Sequence, residues 1–179
     1  MKKQSILFFG ILLLCISFTS IVLPDWKIEN DANSITFKTK GAKGNFRGLK
    51  GTIHFDTTKL AVSKFDVTVD VKTIDMGIGM KNKHALAEDF FDAEHYPEIH
   101  FRSSNIAKLD TGFIVTGYLT IKGISKEISF PFRFDQTNHE GLFKGTFEIN
   151  RKNFNLTKKG VGELVEIELN VPVRQDTIS

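Results

Sequence analysis

Cysteine is nearly absent from this sequence of 179 residues, and the single one, Cys15, lies in an apolar stretch near the amino terminus. The rest of the chain therefore has no thiol for a disulfide or for a cysteine-ligated metal, so a domain formed by it must be held together by its core. A chain of this length can bury enough apolar surface for that. Proline is also scarce, at four residues, and no linker divides the chain, which predicts a single domain.

The sequence has no strong excess of charge of either sign. Its 24 basic and 21 acidic residues give a formal net charge of +3, and both signs are scattered along the chain. Without Lys2 and Lys3, which lie in the amino-terminal segment, the remainder carries a net charge of only +1. No large basic field of the kind that attracts nucleic acid is present, and this argues against a nucleic-acid-binding function.

The amino-terminal segment has the layout of a secretory signal peptide. A short basic start precedes an almost wholly apolar run at residues 6–18, and small residues follow before Pro24. We expect residues 1–23 to be a signal peptide and residues 24–179 to form an exported domain, periplasmic or secreted. An uncleaved membrane anchor is the alternative, because the apolar stretch, continued to Leu23, is nearly long enough to span a bilayer.

Apolar and polar residues alternate through most of the chain after Pro24. The alternation is cleanest at residues 65–72, 128–134 and 165–173, and this period of two predicts β-strands with one buried and one solvent-facing side. Weaker versions raise the number of predicted strands to about eight, at residues 35–37, 53–55, 99–101, 113–121 and 143–149. Short turn-like stretches separate most of them, which indicates an antiparallel all-β fold.

One stretch interrupts the strand pattern. Residues 81–91 contain Ala85, Leu86 and other residues that favour helix, and Pro97 prevents a helix from continuing past Tyr96. We predict a short helix, or two helical turns, lying across the mouth of a barrel.

Eight antiparallel strands can form either a sandwich or an up-and-down barrel. Fourteen of the 17 phenylalanines follow residue 23, and such bulky side chains suit the lining of a barrel that holds one small ligand. They suit the dry core of a sandwich equally well. The chemistry of the residues leaves both architectures open.

Motifs spread over the chain resemble those of the YceI-like polyisoprenoid-binding family. The segment GYLTIKGISK at residues 117–126 is similar to the family's G-x-L-T-I-x-G-V/I-S/T-K motif, and the stretch KNKHA to DFFD at 81–92 is similar to its R-D-x-H-L to D-F-F-D stretch. The segments YPEIHFRS at 96–103, GTIHFD at 51–56 and RKNF at 151–154 follow in the family's order. The resemblance covers essentially the whole chain after the apolar segment.

The resemblance implies an eight-stranded antiparallel lipocalin-like barrel with a short helical segment near one end. It also implies an apolar cavity that holds an isoprenoid or other long-chain lipid, export, a tendency to form a homodimer, no cofactor and no enzymatic activity. The sequence departs from the family pattern at Lys81, Asn82, Ala85 and Asn155, which bears on the head group of the ligand more than on the barrel. The alternatives are an enzyme acting on such a lipid and a ligand-free structural or partner-binding barrel.

The inward-facing residues of the predicted strands are the candidate lining of the cavity. By the alternation they are Phe37, Phe55, Val67, Val69, Phe101, Leu119, Ile121, Phe130, Phe132 and Phe147. The same alternation directs Arg151 inward at one end of the barrel, where a buried guanidinium needs a partner. We expect Trp26 to be that partner, through a cation–π contact that closes the barrel, or else a polar head group of the ligand.

The five histidines give little support for a metal site. His54 and His100 lie between apolar residues that point inward, so their own side chains are predicted to face solvent. No compact ligand spacing links His84, His95 and His139, and no cysteine assists them. We therefore predict no metal site.

A catalytic site would need an acid–base pair in a pocket, and His84 with Asp89 is the candidate. Their spacing of five residues aligns the two side chains poorly on a helix, and capping or surface hydrogen bonding is the simpler interpretation. We therefore expect no catalytic residue, and we place His84 with Trp26 and Arg151 at a polar end or closure of the barrel.

Overall fold

The computed structural model describes residues 25–29 and 35–175, and in these ranges the chain forms ten β-strands and one short α-helix. The predicted signal peptide, residues 1–23 with Cys15, lies outside the described residues. None of the helices formed by the described residues is long and apolar enough to cross a membrane.

The strands occupy the segments where apolar and polar residues alternate. In chain order they are β1 (Asp25–Ile28), β2 (Ile35–Thr39), β3 (Ala42–Phe46), β4 (Lys50–His54), β5 (Lys64–Asp70), β6 (Glu98–Leu109), β7 (Gly112–Ile121), β8 (Ile124–Thr137), β9 (Glu140–Asn150) and β10 (Leu164–Gln175). The helix α1 (Gly79–Leu86) lies between β5 and β6, in the region where the helical segment was predicted.

Eight of the strands close into an antiparallel barrel. Their order is β1-β4-β5-β6-β7-β8-β9-β10, and β10 pairs back with β1. Trp26 in β1 makes this closure, since it lies opposite Gln175 of β10 on one side and Ile53 of β4 on the other. The predicted eight-stranded barrel is confirmed, and the sandwich is excluded because the sheet has no free edge between β1 and β10.

Strands β2 and β3 extend the sheet along the other half of β10. The carboxyl-terminal part of β10 pairs with β1, and its amino-terminal part, residues 166–169, pairs with β2. Strands β1 and β3 were not predicted, because β1 has only four residues and β3, with the sequence AKGNF, buries fully only Phe46. Strand β6 is longer than predicted, because a bulge between Ser103 and Asn105 reverses the inward–outward alternation.

The connections between strands divide into two groups, one at each end of the barrel. One end, called the mouth end here, carries α1, the β7–β8 turn at Lys122 and Gly123, and the β9–β10 loop, residues 151–163. Lys122 Nζ donates a 2.8 Å hydrogen bond to the carbonyl of Glu88, which ties that turn to the segment after α1. The opposite end, called the closed end, carries the β6–β7 and β8–β9 turns.

The outer surface of the barrel is charged, and the histidines predicted to face solvent lie on it. His100 Nε2 is 2.6 Å from Asp66 Oδ1, and His54 Nδ1 is 3.6 Å from Asp25 Oδ1. Both histidine side chains are more than a third exposed. The alternation therefore identified the side of the sheet on which each of these residues lies.

Candidate functional site

The interior of the barrel contains an apolar cavity in two chambers. The upper chamber, of about 270 Å³, opens at the mouth end, and the lower chamber, of about 160 Å³, lies deeper in the barrel. They share an apolar ring, called the waist here, that is formed by Phe46, Ile99, Ile121, Ile149 and Ile167. Their combined volume lies in the range of about 300–1,000 Å³ that is typical of small-molecule sites.

Nine of the ten predicted lining residues lie on the chamber walls. Phe37 lines the upper chamber, Ile121 the waist, and the lower chamber is lined by Val67, Val69, Phe101, Leu119, Phe130, Phe132 and Phe147. Phe55 was also predicted to line the cavity, and this is wrong: it is 1% exposed and packed among other aromatic rings beyond the lower chamber. The alternation shows that a side chain points inward but does not show its depth along the barrel axis.

Aromatic rings close the lower chamber at its inner end. Phe65, Phe132 and Phe143, called the aromatic floor here, line the chamber, and Phe55 backs them. The ring centroid of Phe55 lies 5.8, 5.6 and 5.4 Å from those of Phe65, Phe132 and Phe143. Most of these contacts are edge-on, the arrangement that the charge distribution of aromatic rings favours. The cavity is therefore closed at this end by interlocked rings.

The predicted contact between Trp26 and Arg151 is wrong. Trp26 lies at the closed end, where Nε1 donates a 2.9 Å hydrogen bond to the carbonyl of Phe55 and the ring meets Phe134 edge-on at 5.0 Å. Strand β9 begins at the closed end, because its first residue, Glu140, pairs with Arg174 of β10, which in turn pairs with β1. Arg151 follows the last residue of β9 and therefore lies at the mouth end. The two side chains are separated by the length of the barrel.

Arg151 holds the β9–β10 loop together from within. The residue is only 3% exposed, and its guanidinium donates hydrogen bonds to four backbone carbonyls, those of Leu156, Lys158, Val161 and Gly162. The last three bonds measure 2.7–2.8 Å. Backbone dipoles thus replace the water that the buried charge has lost. Four of the five N–H donors are used in this way, so Arg151 shapes a wall of the cavity and does not present its fork to a ligand.

Basic side chains surround the opening of the upper chamber. Lys81 and His84 reach it from α1, and Lys158 and Lys159 reach it from the β9–β10 loop. These four residues are called the mouth residues here. Among the described residues that line this chamber, none is acidic. The opening therefore combines basic side chains with an apolar interior.

The candidate acid–base pair is not assembled as a catalytic pair. The carboxylate of Asp89 is bound by Lys158, whose Nζ lies 3.0 and 2.8 Å from its two oxygens. This hydrogen bond holds the pKa of Asp89 below its usual value, and the nearby positive charge of Lys158 and of His84 acts in the same direction. An acid with a lowered pKa, already paired with a lysine, is a poor proton donor or acceptor near neutral pH.

Metal ligands do not come together in the described part of the chain, where no three His, Cys, Asp or Glu side chains are grouped so that they could hold an ion. His95 Nδ1 lies 2.8 Å from Asp92 Oδ1, and this hydrogen bond raises the pKa of His95. The pair connects two residues of the turn after α1, and its role is local.

Several residues of the cavity were not identified from the sequence. Phe65 and Phe143 belong to strands that were predicted, and their inward parity was a usable signal that they face the cavity. Lys158 and Lys159 lie in a loop without any periodic pattern, and Lys81 was singled out only as a departure from the family motif. Their position at one opening depends on the closure of the barrel.

Comparison with known proteins supports the architecture. A family model described as the YceI-like domain matches residues 26–173. The UPF0312 protein VPA0850 of Vibrio parahaemolyticus is 30% identical over 136 residues, which is 72% of each chain. The crystal structure of Burkholderia cenocepacia BcnA has a TM-score of 0.73 at 30% identity and covers 77% of this chain and 94% of its own. A domain of Saccharophagus degradans described as polyisoprenoid binding shares the fold, with a TM-score of 0.67 at 13% identity over 87% of this chain and 100% of its own.

Proposed function

The chain belongs to the YceI-like family, and on that basis we propose that its barrel holds one isoprenoid or other long-chain lipid and shields it from water. The observation that carries this proposal is the lower chamber: of the described residues that line it, only Thr68 and Lys144 are polar. Burial of each CH₂ group contributes about 0.8 kcal/mol, so an apolar chain binds in such a chamber without specific polar contacts. The Saccharophagus degradans domain, described as binding polyisoprenoids and similar in fold, supports an isoprenoid among the candidates.

A binding function fits the cavity better than catalysis does. The best acid–base candidate, Asp89, is held in an ion pair by Lys158. Among the described residues that line the lower chamber, Lys144 is the only titratable one, so no acid–base pair is present there. We therefore favour a carrier or storage protein over an enzyme that acts on the lipid.

The direct test is to extract the protein, purified from its native host without denaturation, with organic solvent and to analyse the extract by mass spectrometry. We expect about one long-chain lipid for each protein molecule. A folded protein that yields no lipid would support the ligand-free alternative. A lipid that the purified protein converts to a second product would support the enzyme.

The mouth residues favour a lipid with an acidic head group. Lys81 and Lys159 line the opening and have no ion-pair partner among the described residues, whereas Lys158 is bound to Asp89. An acidic head group placed at the opening would gain about 0.2–1 kcal/mol from each exposed lysine, while its chain entered the apolar chambers.

Replacing both Lys81 and Lys159 by Gln should therefore weaken the binding of an alkyl phosphate about 3- to 10-fold, and should leave an alcohol of the same chain length nearly unaffected. Competition binding with the two ligands measures this. The matched control is the replacement of Lys59 and Lys108, which are exposed at the closed end, by Gln. An equal effect of both double variants would attribute the change to overall charge and would refute a head-group site at the mouth.

Export completes the proposal, because the amino-terminal segment has the basic start, apolar run and small residues of a signal peptide. Protein isolated from its native host should lie outside the cytoplasm and lack roughly its first 20 residues. Amino-terminal sequencing measures the start of the chain. A mature protein that still begins at Met1 would favour the membrane anchor.

A further inference from the structure

The aromatic floor belongs to a close-packed layer of rings. Phe143 stacks on Phe134 at 4.3 Å, and Phe132 stacks on Phe113 at 5.4 Å. The rings come from several strands, and Phe55 contacts all of these rings from within the layer. A chain end that pressed on Phe143 would have to move its neighbours as well, because close-packed interiors transmit a displacement instead of absorbing it.

The hydrogen bond of Trp26 strengthens this layer from outside the chamber. Its Nε1 donates to the carbonyl of Phe55, and its ring packs edge-on against Phe134. Both Trp26 and Phe55 are only 1% exposed. The cavity is thus open at the mouth and closed at the floor by packed rings.

The distance between the waist and the floor can be read along β9, where Ile149 lies at the waist and Phe143 at the floor. Six residues of a strand span about 20 Å, and the tilt of strands in such barrels reduces this to about 15 Å along the axis. An extended hydrocarbon chain advances about 1.3 Å for each C–C bond of about 1.5 Å. This path sets an upper limit of about 12 carbons between waist and floor. The lower chamber, at about 160 Å³, holds fewer than that, and the upper chamber of about 270 Å³ holds the rest of the chain.

We propose that the aromatic floor measures the apolar chain of the ligand and sets the length that the protein holds best. This inference rests on the proposed lipid-binding function, since it concerns the same cavity. Each CH₂ group that enters the chambers raises the affinity about fourfold. Once the chain end reaches the floor, further groups remain at the mouth in water, and the gain stops.

The test is a series of saturated straight-chain fatty acids of increasing length, with dissociation constants measured on lipid-free protein. For the wild type we expect affinity to rise by about fourfold for each CH₂ and then to level off at a break between about 12 and 18 carbons. Phe143→Leu, which preserves an apolar floor but shortens it, should move the break to longer chains by about two carbons. Val171→Phe, which adds a ring beside Phe143 on the neighbouring strand β10, should move it to shorter chains.

Phe90→Leu is the matched control, because Phe90 lines the upper chamber near the mouth. It should change the affinities for all chain lengths by a similar factor and leave the break in place. Circular dichroism confirms that each variant is folded. A wild type that binds fatty acids without a break would overturn the proposed length limit, and so would a break that stays in place in both Phe143→Leu and Val171→Phe. The lipid-binding function would stand in either case. A folded wild type that binds none of the acids would overturn the length limit, and together with a solvent extract that contains no lipid it would overturn the lipid-binding function as well.

Discussion

Replacement of Val69 by Trp should reduce the lipid that the purified protein retains by at least tenfold while the barrel remains folded. Val69 lies on β5, is 3% exposed and lines the lower chamber opposite Ile99 of the waist. An indole at this position would occupy much of a chamber of about 160 Å³. The chain of a lipid would then stop near the waist and lose the contribution of about 0.8 kcal/mol from each CH₂ group that can no longer enter.

Mass spectrometry of solvent extracts from equal amounts of wild-type and variant protein measures the retained lipid. Val62→Trp is the matched control, because Val62 is 40% exposed and lies outside the barrel interior. It makes the same chemical change and should leave the lipid content unchanged. Some repacking around the indole is expected, so thermal unfolding accompanies the measurement. A folded Val69→Trp protein with a wild-type lipid content would place the ligand outside the lower chamber.

Replacement of Arg151 by Met should lower the free energy of unfolding by about 3 kcal/mol. Four backbone carbonyls of the β9–β10 loop accept hydrogen bonds from this guanidinium, and Met leaves all four without this donor, including the buried carbonyl of Leu156. For a domain of this size, the loss corresponds to a fall in Tm of about 6–12 °C. Urea or thermal unfolding of lipid-free protein measures it.

Lys152→Met tests whether the loss belongs to the buried hydrogen bonds or to positive charge in this segment. Lys152 is the next residue along the chain, but it is exposed and forms an ion pair with Glu163 on the surface. Its replacement should cost less than about 1 kcal/mol. If Arg151→Met were no less stable than Lys152→Met, the loop would not depend on the guanidinium.

The interior and exterior of the barrel could be assigned from the sequence because the side-chain period of a strand is two. Val67 and Val69 lie on the chamber wall, and His100 lies outside beside Asp66, as predicted. Where the period is broken the prediction fails. The bulge at Ser103 interrupts the alternation in β6, so the second half of that strand was not predicted. Strand β3 has too few apolar residues to show a period of two.

The choice between barrel and sandwich could not be made from the periods of the strands, because both architectures bury one face of each strand. The family resemblance predicted the barrel, and the pairing of β1 with both β4 and β10 closes it in the structure. Four residues in β1 complete this closure, and a strand of that length carries almost no periodic signal.

The partner of Arg151 shows where sequence reasoning ends. The sequence determined that a buried cation follows β9 and requires compensation, since an isolated buried charge is too costly. Its partners are backbone carbonyls of residues 156–162. Every residue has the same backbone carbonyl, so the residue types do not show which of them accept the hydrogen bonds.

The sequence by itself thus determined which residues of this protein face inward, because that property is local and repeats every two residues. Only the tertiary structure decided how deep each of them lies, and therefore that Phe55 and Trp26 seal one end while Lys81 and Lys159 surround the other. Depth along the axis depends on the stagger between neighbouring strands and on the closure of the sheet. Both arise from contacts between segments that are far apart in the chain.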